Sequence, residues 1–168
     1  MRRVEGFSLL ELILVIAILG VLAAFVGPVV FNALRSYDQM QRGVQTQAKM
    51  RYAIERMARE IREVRRQVTD ATFPDVSSMT ATSLAFVKSD GTSVAIGVAG
   101  NQVNLAYSTV SAVLTDQLGS FTLEYFQPDA STPAASASSL AFVQISMTLS
   151  EGTNLFSARA RVDLKNAQ

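Results

Sequence analysis

Residues 6–31 read GFSLLELILVIAILGVLAAFVGPVVF, and this stretch decides the fold of the 168-residue chain. The twenty residues from 12 to 31 include no charged side chain. As an α-helix they span roughly 30 Å, the thickness of the hydrocarbon core of a bilayer. Arg2 and Arg3 precede the stretch. Because basic flanks stay in the cytoplasm, we predict a membrane-spanning helix over residues 7–31, with a cytoplasmic N-terminus and an exported remainder.

The helical pattern continues beyond residue 31 but narrows to one apolar face. Its apolar residues recur at steps of three or four, in the order Met50, Ile54, Met57, Ile61, Val64 and Val68. Opposite charges four residues apart predict that the other face is exposed to water; the pairs are Glu55–Arg59, Arg56–Glu60 and Arg59–Glu63. We therefore predict one helix of about 60 residues, amphipathic over residues 32–68. Pro28 cannot donate a backbone hydrogen bond, which predicts a bend or local melting near it.

After a predicted linker at residues 69–82, the pattern changes from helical to alternating, as in β-strands. Residues 84–98 are predicted to form a hairpin that turns at Asp90-Gly91, and a strand at 103–107 is predicted after a turn at Gly100-Asn101. A further strand is predicted at 121–126. A last hairpin is predicted to pair residues 141–149 with 155–164. Residues 129–139 form a low-complexity loop. The predicted fold is α+β, with a long N-terminal helix packed on a C-terminal antiparallel sheet over residues 69–168.

The composition excludes several classes of chemistry. The chain has no Cys and no His, so it has no disulfide, no thiol nucleophile and no imidazole base. Its aspartates are scattered rather than spaced as a calcium loop. We therefore expect no catalytic residues, no metal site and no cofactor. Residues 32–67 carry nine basic and four acidic side chains, whereas residues 68–168 carry four basic and eight acidic ones. We expect the basic stretch to be solvated or to meet acidic surfaces of other protein chains rather than to bind nucleic acid.

The string Gly6-Phe7-Ser8-Leu9-Leu10-Glu11-Leu12, followed by the apolar run with Gly20 and Pro28, resembles the N-terminal signature of the type IV pilin and type II secretion pseudopilin superfamily. The resemblance implies that a prepilin peptidase removes residues 1–6 by cutting after Gly6. It also implies that Phe7 becomes the N-methylated mature N-terminus and that Glu11 acts in filament assembly. Gly20 and Pro28 would be positions where the helix loses regularity in the filament.

The chemistry of Glu11 is consistent with that role. A carboxylate inside a membrane span costs a few kcal/mol even on mild insertion scales, so it needs a partner. Cleavage after Gly6 would release a positive α-amine on Phe7, and methylation would leave that amine charged. The α-amine of a neighbouring subunit is therefore the predicted partner. The resemblance further implies contacts with the peptidase and an inner-membrane assembly platform, and a final location in a periplasmic or cell-surface filament.

Other interpretations of the N-terminus remain open at this stage. Ser8 and Glu11 also fit a helix capping box of the form S-x-x-E. A secretory signal peptide would have a shorter apolar run without Glu11 and a small-residue cleavage site after it. The pair Arg2-Arg3 alone does not make a twin-arginine signal. A simple signal anchor explains the length of the apolar run but not the string from Gly6 to Glu11.

The remainder of the chain resembles some members more than others. Residues 47–68, the strand at 120–129 and the ending at 158–167 are similar to the larger minor pilins and J-type pseudopilins, which are associated with filament tips. Many major pilins close a C-terminal loop with a disulfide, which this chain cannot form. The predicted function is a minor pilin subunit. The alternatives are a type II secretion pseudopilin and a membrane-anchored periplasmic binding module that does not polymerise.

Overall fold

A computed structural model describes residues 8–67, 69, 73–108 and 110–164 of the chain. One helix precedes eight strands, which confirms the predicted α+β class. The elements are α1 (Leu9–Arg62), β1 (Val76–Met79), β2 (Ser83–Val87), β3 (Ser93–Ala99), β4 (Gln102–Tyr107), β5 (Val110–Thr115), β6 (Leu118–Phe126), a 3₁₀ turn (Ala137–Ser139), β7 (Phe142–Glu151) and β8 (Asn154–Asp163).

The chain divides into two units, Met1–Arg42 and Gly43–Gln168. In the first unit, every described residue belongs to the start of α1 or its cap and is exposed. In the second unit, the end of α1 packs on the sheets through one face, which includes Met50, Ile54, Met57 and Ile61. This confirms the predicted apolar stripe as far as Ile61.

The strands form two antiparallel sheets rather than a single one. The first has the order β1-β2-β3-β4-β5 and the second the order β6-β7-β8. The predicted hairpins are confirmed: Val87 pairs with Ser93, Ala99 with Gln102, and Glu151 with Asn154. Gly91 and Gly152 adopt positive φ angles of 86° and 59°, which glycine tolerates without steric cost. Alternate side chains from both sheets fill one core.

The end of α1 and two strands differ from the prediction. α1 ends at Arg62 because the backbone then pairs with the first sheet: Val64 bridges to Lys88, and Arg66 bridges to Pro74. The helical prediction is therefore wrong for residues 63–67, and Val68 lies outside the described residues. β1 lies inside the predicted linker, and β5 was not predicted. Residues 110–113 of β5 are exposed on both faces, so their sequence shows no alternation.

The prediction that Glu60 faces water is wrong. Its side chain is only 2% exposed, although it forms the predicted ion pair with Arg56, whose Nη2 lies 2.8 Å from Glu60 Oε1. Lys88 Nζ lies 3.1 Å from Glu60 Oε2, and the Tyr107 hydroxyl donates a 2.8 Å hydrogen bond to Oε1. Lys88 also pairs with Glu63, 2.6 Å away. These contacts join α1 to the residue after β2 and to the end of β4.

Replacing Glu60 with alanine should lower the free energy of unfolding by about 3 kcal/mol, because it leaves Lys88 and Arg56 without their shared, desolvated carboxylate. The exposed Glu55 on the same helix provides a control, and Glu55→Ala should cost less than about 0.5 kcal/mol. Denaturant titration of the full chain in detergent, followed by circular dichroism, measures both values. Equal losses for the two variants would contradict a stabilising role of the buried cluster.

Candidate functional site

The candidate site is the N-terminal part of α1 with the residues just before it. Gly6 and Phe7, the predicted cleavage and methylation positions, lie outside the described residues. The description begins at Ser8, whose Oγ accepts a 3.2 Å hydrogen bond from the backbone N–H of Glu11. The Ser8 carbonyl accepts bonds from the N–H groups of Glu11 and Leu12, at 3.1 and 3.2 Å. Ser8 therefore caps α1 and satisfies one of the donors that a helix start leaves free.

Glu11 lies in the first turn of α1, and its side chain is exposed. The next charged residue along the chain is Arg35, about 36 Å away at 1.5 Å per residue. Within the described residues, the Glu11 carboxylate has no cationic partner. Capping by Ser8 uses the backbone of Glu11, so the carboxylate remains available for a partner outside this chain.

The surface around Glu11 is apolar on every side. Leu9 is 77% exposed and Phe25 is 72% exposed, and the large apolar residues between them are also uncovered. Among the described residues, α1 is the one helix with a window of 18 residues apolar enough to cross a membrane, and none of that window is buried. A helix in the core of a protein can be equally apolar, but other parts of the protein would cover it. The exposure of this segment instead supports membrane anchoring.

Gly20 and Pro28, the predicted flexible positions, both lie inside the continuous helix α1. No atom beyond its own helix and chain neighbours lies within 4 Å of where a Gly20 Cβ would stand. A loss of regularity at Gly20 or Pro28 in a filament stays a prediction.

The basic stretch at the end of α1 is partly engaged inside the second unit. Arg56 pairs with Glu60, and Arg65 Nε lies 2.8 Å from Asp75 Oδ2. The Arg56–Glu60 pair lies within α1, whereas the Arg65–Asp75 pair links the segment after α1 to the residue before β1. Arg62 is exposed. In the described part of the chain, no group of three or more His, Cys, Asp or Glu side chains could hold a metal ion.

Sequence reasoning missed the role of Lys88. Its pKa is raised to about 12, chiefly by its hydrogen bond with Glu63 and also by Glu60, against the opposing effect of burial. Burial raises the pKa of Tyr107, and the hydrogen bond to Glu60 adds to that shift. In the sequence, Lys88 is a single lysine in the predicted hairpin at 84–98, and that position alone does not indicate which residues it contacts.

Comparison with known proteins supports the interpretation of the N-terminus. Residues 1–27 match the family model described as "Prokaryotic N-terminal methylation motif". No curated protein matches the chain. The match and the uncovered apolar helix together support a type IV pilin-like protein, anchored in the membrane by its N-terminal segment. They point to a structural subunit processed by a prepilin peptidase, and leave the particular member undetermined.

The stability of the folded chain should fall as the pH rises above about 10, where unfolded tyrosine ionises. The fold favours the charged form of Lys88. Its contribution to the free energy of unfolding is therefore complete below its ordinary pKa of 10.5, and it is lost as the pH passes through about 12. Tyr107 is favoured in its neutral form in the fold, and its raised pKa acts in the same direction. Denaturation midpoints measured across this pH range report the loss of stability. The variant Lys88→Met should lose less stability over the same range. An unchanged pH profile in Lys88→Met would contradict the assignment.

Proposed function

We propose that this protein is a subunit of a type IV pilus or pilus-like filament, assembled through its N-terminal helix. The observation that carries the proposal is that the methylation motif at residues 1–27 precedes and overlaps an apolar helix that nothing in the described chain covers. Before assembly, a bilayer would cover that surface, with the N-terminus in the cytoplasm. After extraction into a filament, neighbouring subunits would cover it instead.

The match to the methylation motif supports a proposal for which residues are processed. A prepilin peptidase would cut after Gly6, where the absence of a side chain leaves the peptide bond accessible. Phe7 would then carry the new α-amine and receive the methyl group. Ser8 is the first described residue, and α1 begins immediately after it. Since α1 begins at Leu9, cleavage after Gly6 would leave the whole of α1 in the mature chain.

Glu11 would select and orient neighbouring subunits. Its carboxylate is exposed on an apolar helix, and within the described chain it has no cationic partner. Removing such a carboxylate from water is unfavourable unless an opposite charge accompanies it. The Phe7 α-amine of an adjacent subunit would neutralise it, so both charges are satisfied only at the correct stagger between helices.

Within this class, we propose a minor subunit that acts at or near the filament tip. The similarity of residues 47–68, 120–129 and 158–167 to larger minor pilins and J-type pseudopilins supports this role. So does the absence of cysteine, because a loop-closing disulfide is excluded. A type II secretion pseudopilus remains the alternative filament, with the same processing and the same helix-mediated assembly.

Mass spectrometry of the protein from cells that contain a prepilin peptidase should show a mature chain that begins at Phe7 and carries one additional methyl group on its α-amine. Cells that lack the peptidase provide the control and should retain residues 1–6. A mature protein that begins at Met1, or one cut near Ala24, would refute the filament proposal and favour a permanent anchor or a signal peptide.

The substitution Glu11→Val should remove the subunit from sheared filaments and leave the second unit folded, because it deletes the charge without touching the core. Leu12→Val alters the adjacent apolar position and should incorporate normally. Immunoblots of sheared filaments and of membranes measure the partition between the two fractions. Normal incorporation of Glu11→Val would contradict the pairing between amine and carboxylate.

A further inference from the structure

A groove runs between α1 and the edge strand β8 in the second unit. Its volume is about 690 Å³, within the roughly 300–1,000 Å³ range of ligand pockets. Met50, Arg51 and Ile54 line it on the helix side, and Leu155, Phe156 and Ala158 line it on the strand side. One wall of the groove is therefore formed by residues of β8.

β8 is the last strand of its sheet and pairs with β7 alone. The ladder between them runs from Glu151–Asn154 to Phe142–Asp163, so β8 is ordered over ten residues. In an antiparallel pair, alternate residues direct their N–H and C=O groups away from the partner strand. On β8 these groups lie along the free edge of the sheet and can accept another strand.

Apolar side chains form part of the groove wall beside this edge. Phe156 and Ala158 point toward α1, and a Cβ added at Gly43 would lie 3.3 Å from the Phe156 ring. The strand and helix thus approach closely at one end. Leu155 is 69% exposed beside the groove. A strand added next to β8 would place alternate side chains against the helix wall, where Met50 and Ile54 lie.

The charged groups at the groove favour an acidic ligand. Arg51 and Arg159 line it, against the single carboxylate of Glu55. Across the described ranges, no hydrogen bond or ion pair engages Arg159. Arg161, two residues along the same strand, is by contrast occupied: it donates to Gln144 Oε1 and to the Ala130 carbonyl and stacks on Phe126. Arg159 therefore has the capacity to pair with a carboxylate on an added strand.

One edge strand of the other sheet, β5, lacks these features. Its residues 110–113 are exposed on both faces, so a strand added there would gain main-chain hydrogen bonds but no apolar wall. Charged side chains on an edge normally discourage indiscriminate pairing. At β8 the arginine would instead select partners by charge, because it repels basic strands and attracts acidic ones.

We propose that the groove between α1 and β8 binds an extended segment of another protein chain by β-strand addition. The segment pairs with the β8 main chain, directs alternating apolar side chains toward α1, and places an acidic side chain opposite Arg159. The inference does not require the chain to polymerise, since the groove lies entirely in residues 43–168.

The test uses the full chain in detergent and a synthetic peptide of about six residues, the usual strand length, with alternating valine and glutamate. Two control peptides replace glutamate with lysine or methylate the backbone nitrogens that would face β8. Fluorescence anisotropy should show saturable binding of the first peptide only. Binding should also slow hydrogen exchange at alternate amides of β8.

The variant Arg159→Glu should weaken peptide binding by about tenfold or more, equivalent to a difference of about 1.4 kcal/mol. Arg62→Glu makes the same charge change at an exposed residue outside the groove lining and should leave affinity unchanged. Circular dichroism confirms that both variants are folded. Binding that survives backbone methylation, equal losses in both variants, or no saturation up to about 1 mM would overturn the proposal. These readouts involve no filaments, so they are independent of the proposed function.

Discussion

An apolar helix surface that the rest of the described chain leaves uncovered is the constraint on which this structure depends. From Leu9 to Phe31 the large apolar side chains are exposed on every side of α1. At about 25 cal/mol for each Å² of apolar surface, such exposure to water is strongly unfavourable. A bilayer or other protein chains must therefore cover this surface. The same surface carries the Glu11 carboxylate, which has no cationic partner within the described residues.

The same helix meets a different environment from Gly43 onward. There, one face of α1 enters the core of the second unit, and the opposite face stays in water. Apolar packing alone would permit some sliding of a helix over a sheet. The buried Glu60 limits that freedom, because its oxygens are bound by Arg56, Lys88 and Tyr107 at particular positions. A buried ion pair of this kind contributes a defined register at a considerable desolvation cost.

Much of the fold follows from patterns that local physical chemistry imposes. The charge-free run, the stripe from Met50 to Ile61 and the hairpins around Gly91 and Gly152 each reflect periodicity or turn geometry, and all were predictable.

The burial of Glu60 could not be predicted, because Arg56 four residues earlier produces the same pattern on an exposed helix face. Its burial depends on Lys88 and on Tyr107, a residue 47 positions away in sequence. The end of α1 at Arg62 depends likewise on pairing between Val64 and Lys88. At the candidate site, the helix cap at Ser8 was predictable from the S-x-x-E pattern. The groove beside β8 was not, because it depends on tertiary packing.

A density map of assembled filaments that resolves the N-terminal helices would test the central claim most directly. The proposed pairing predicts that the Glu11 carboxylate lies within about 4 Å of the Phe7 α-amine of an adjacent subunit, or of the corresponding amine when the neighbour is a different pilin. It also predicts that the apolar surface around Glu11 is covered by other helices. A map in which Glu11 faces solvent, or pairs with a side chain of its own subunit, would contradict the account.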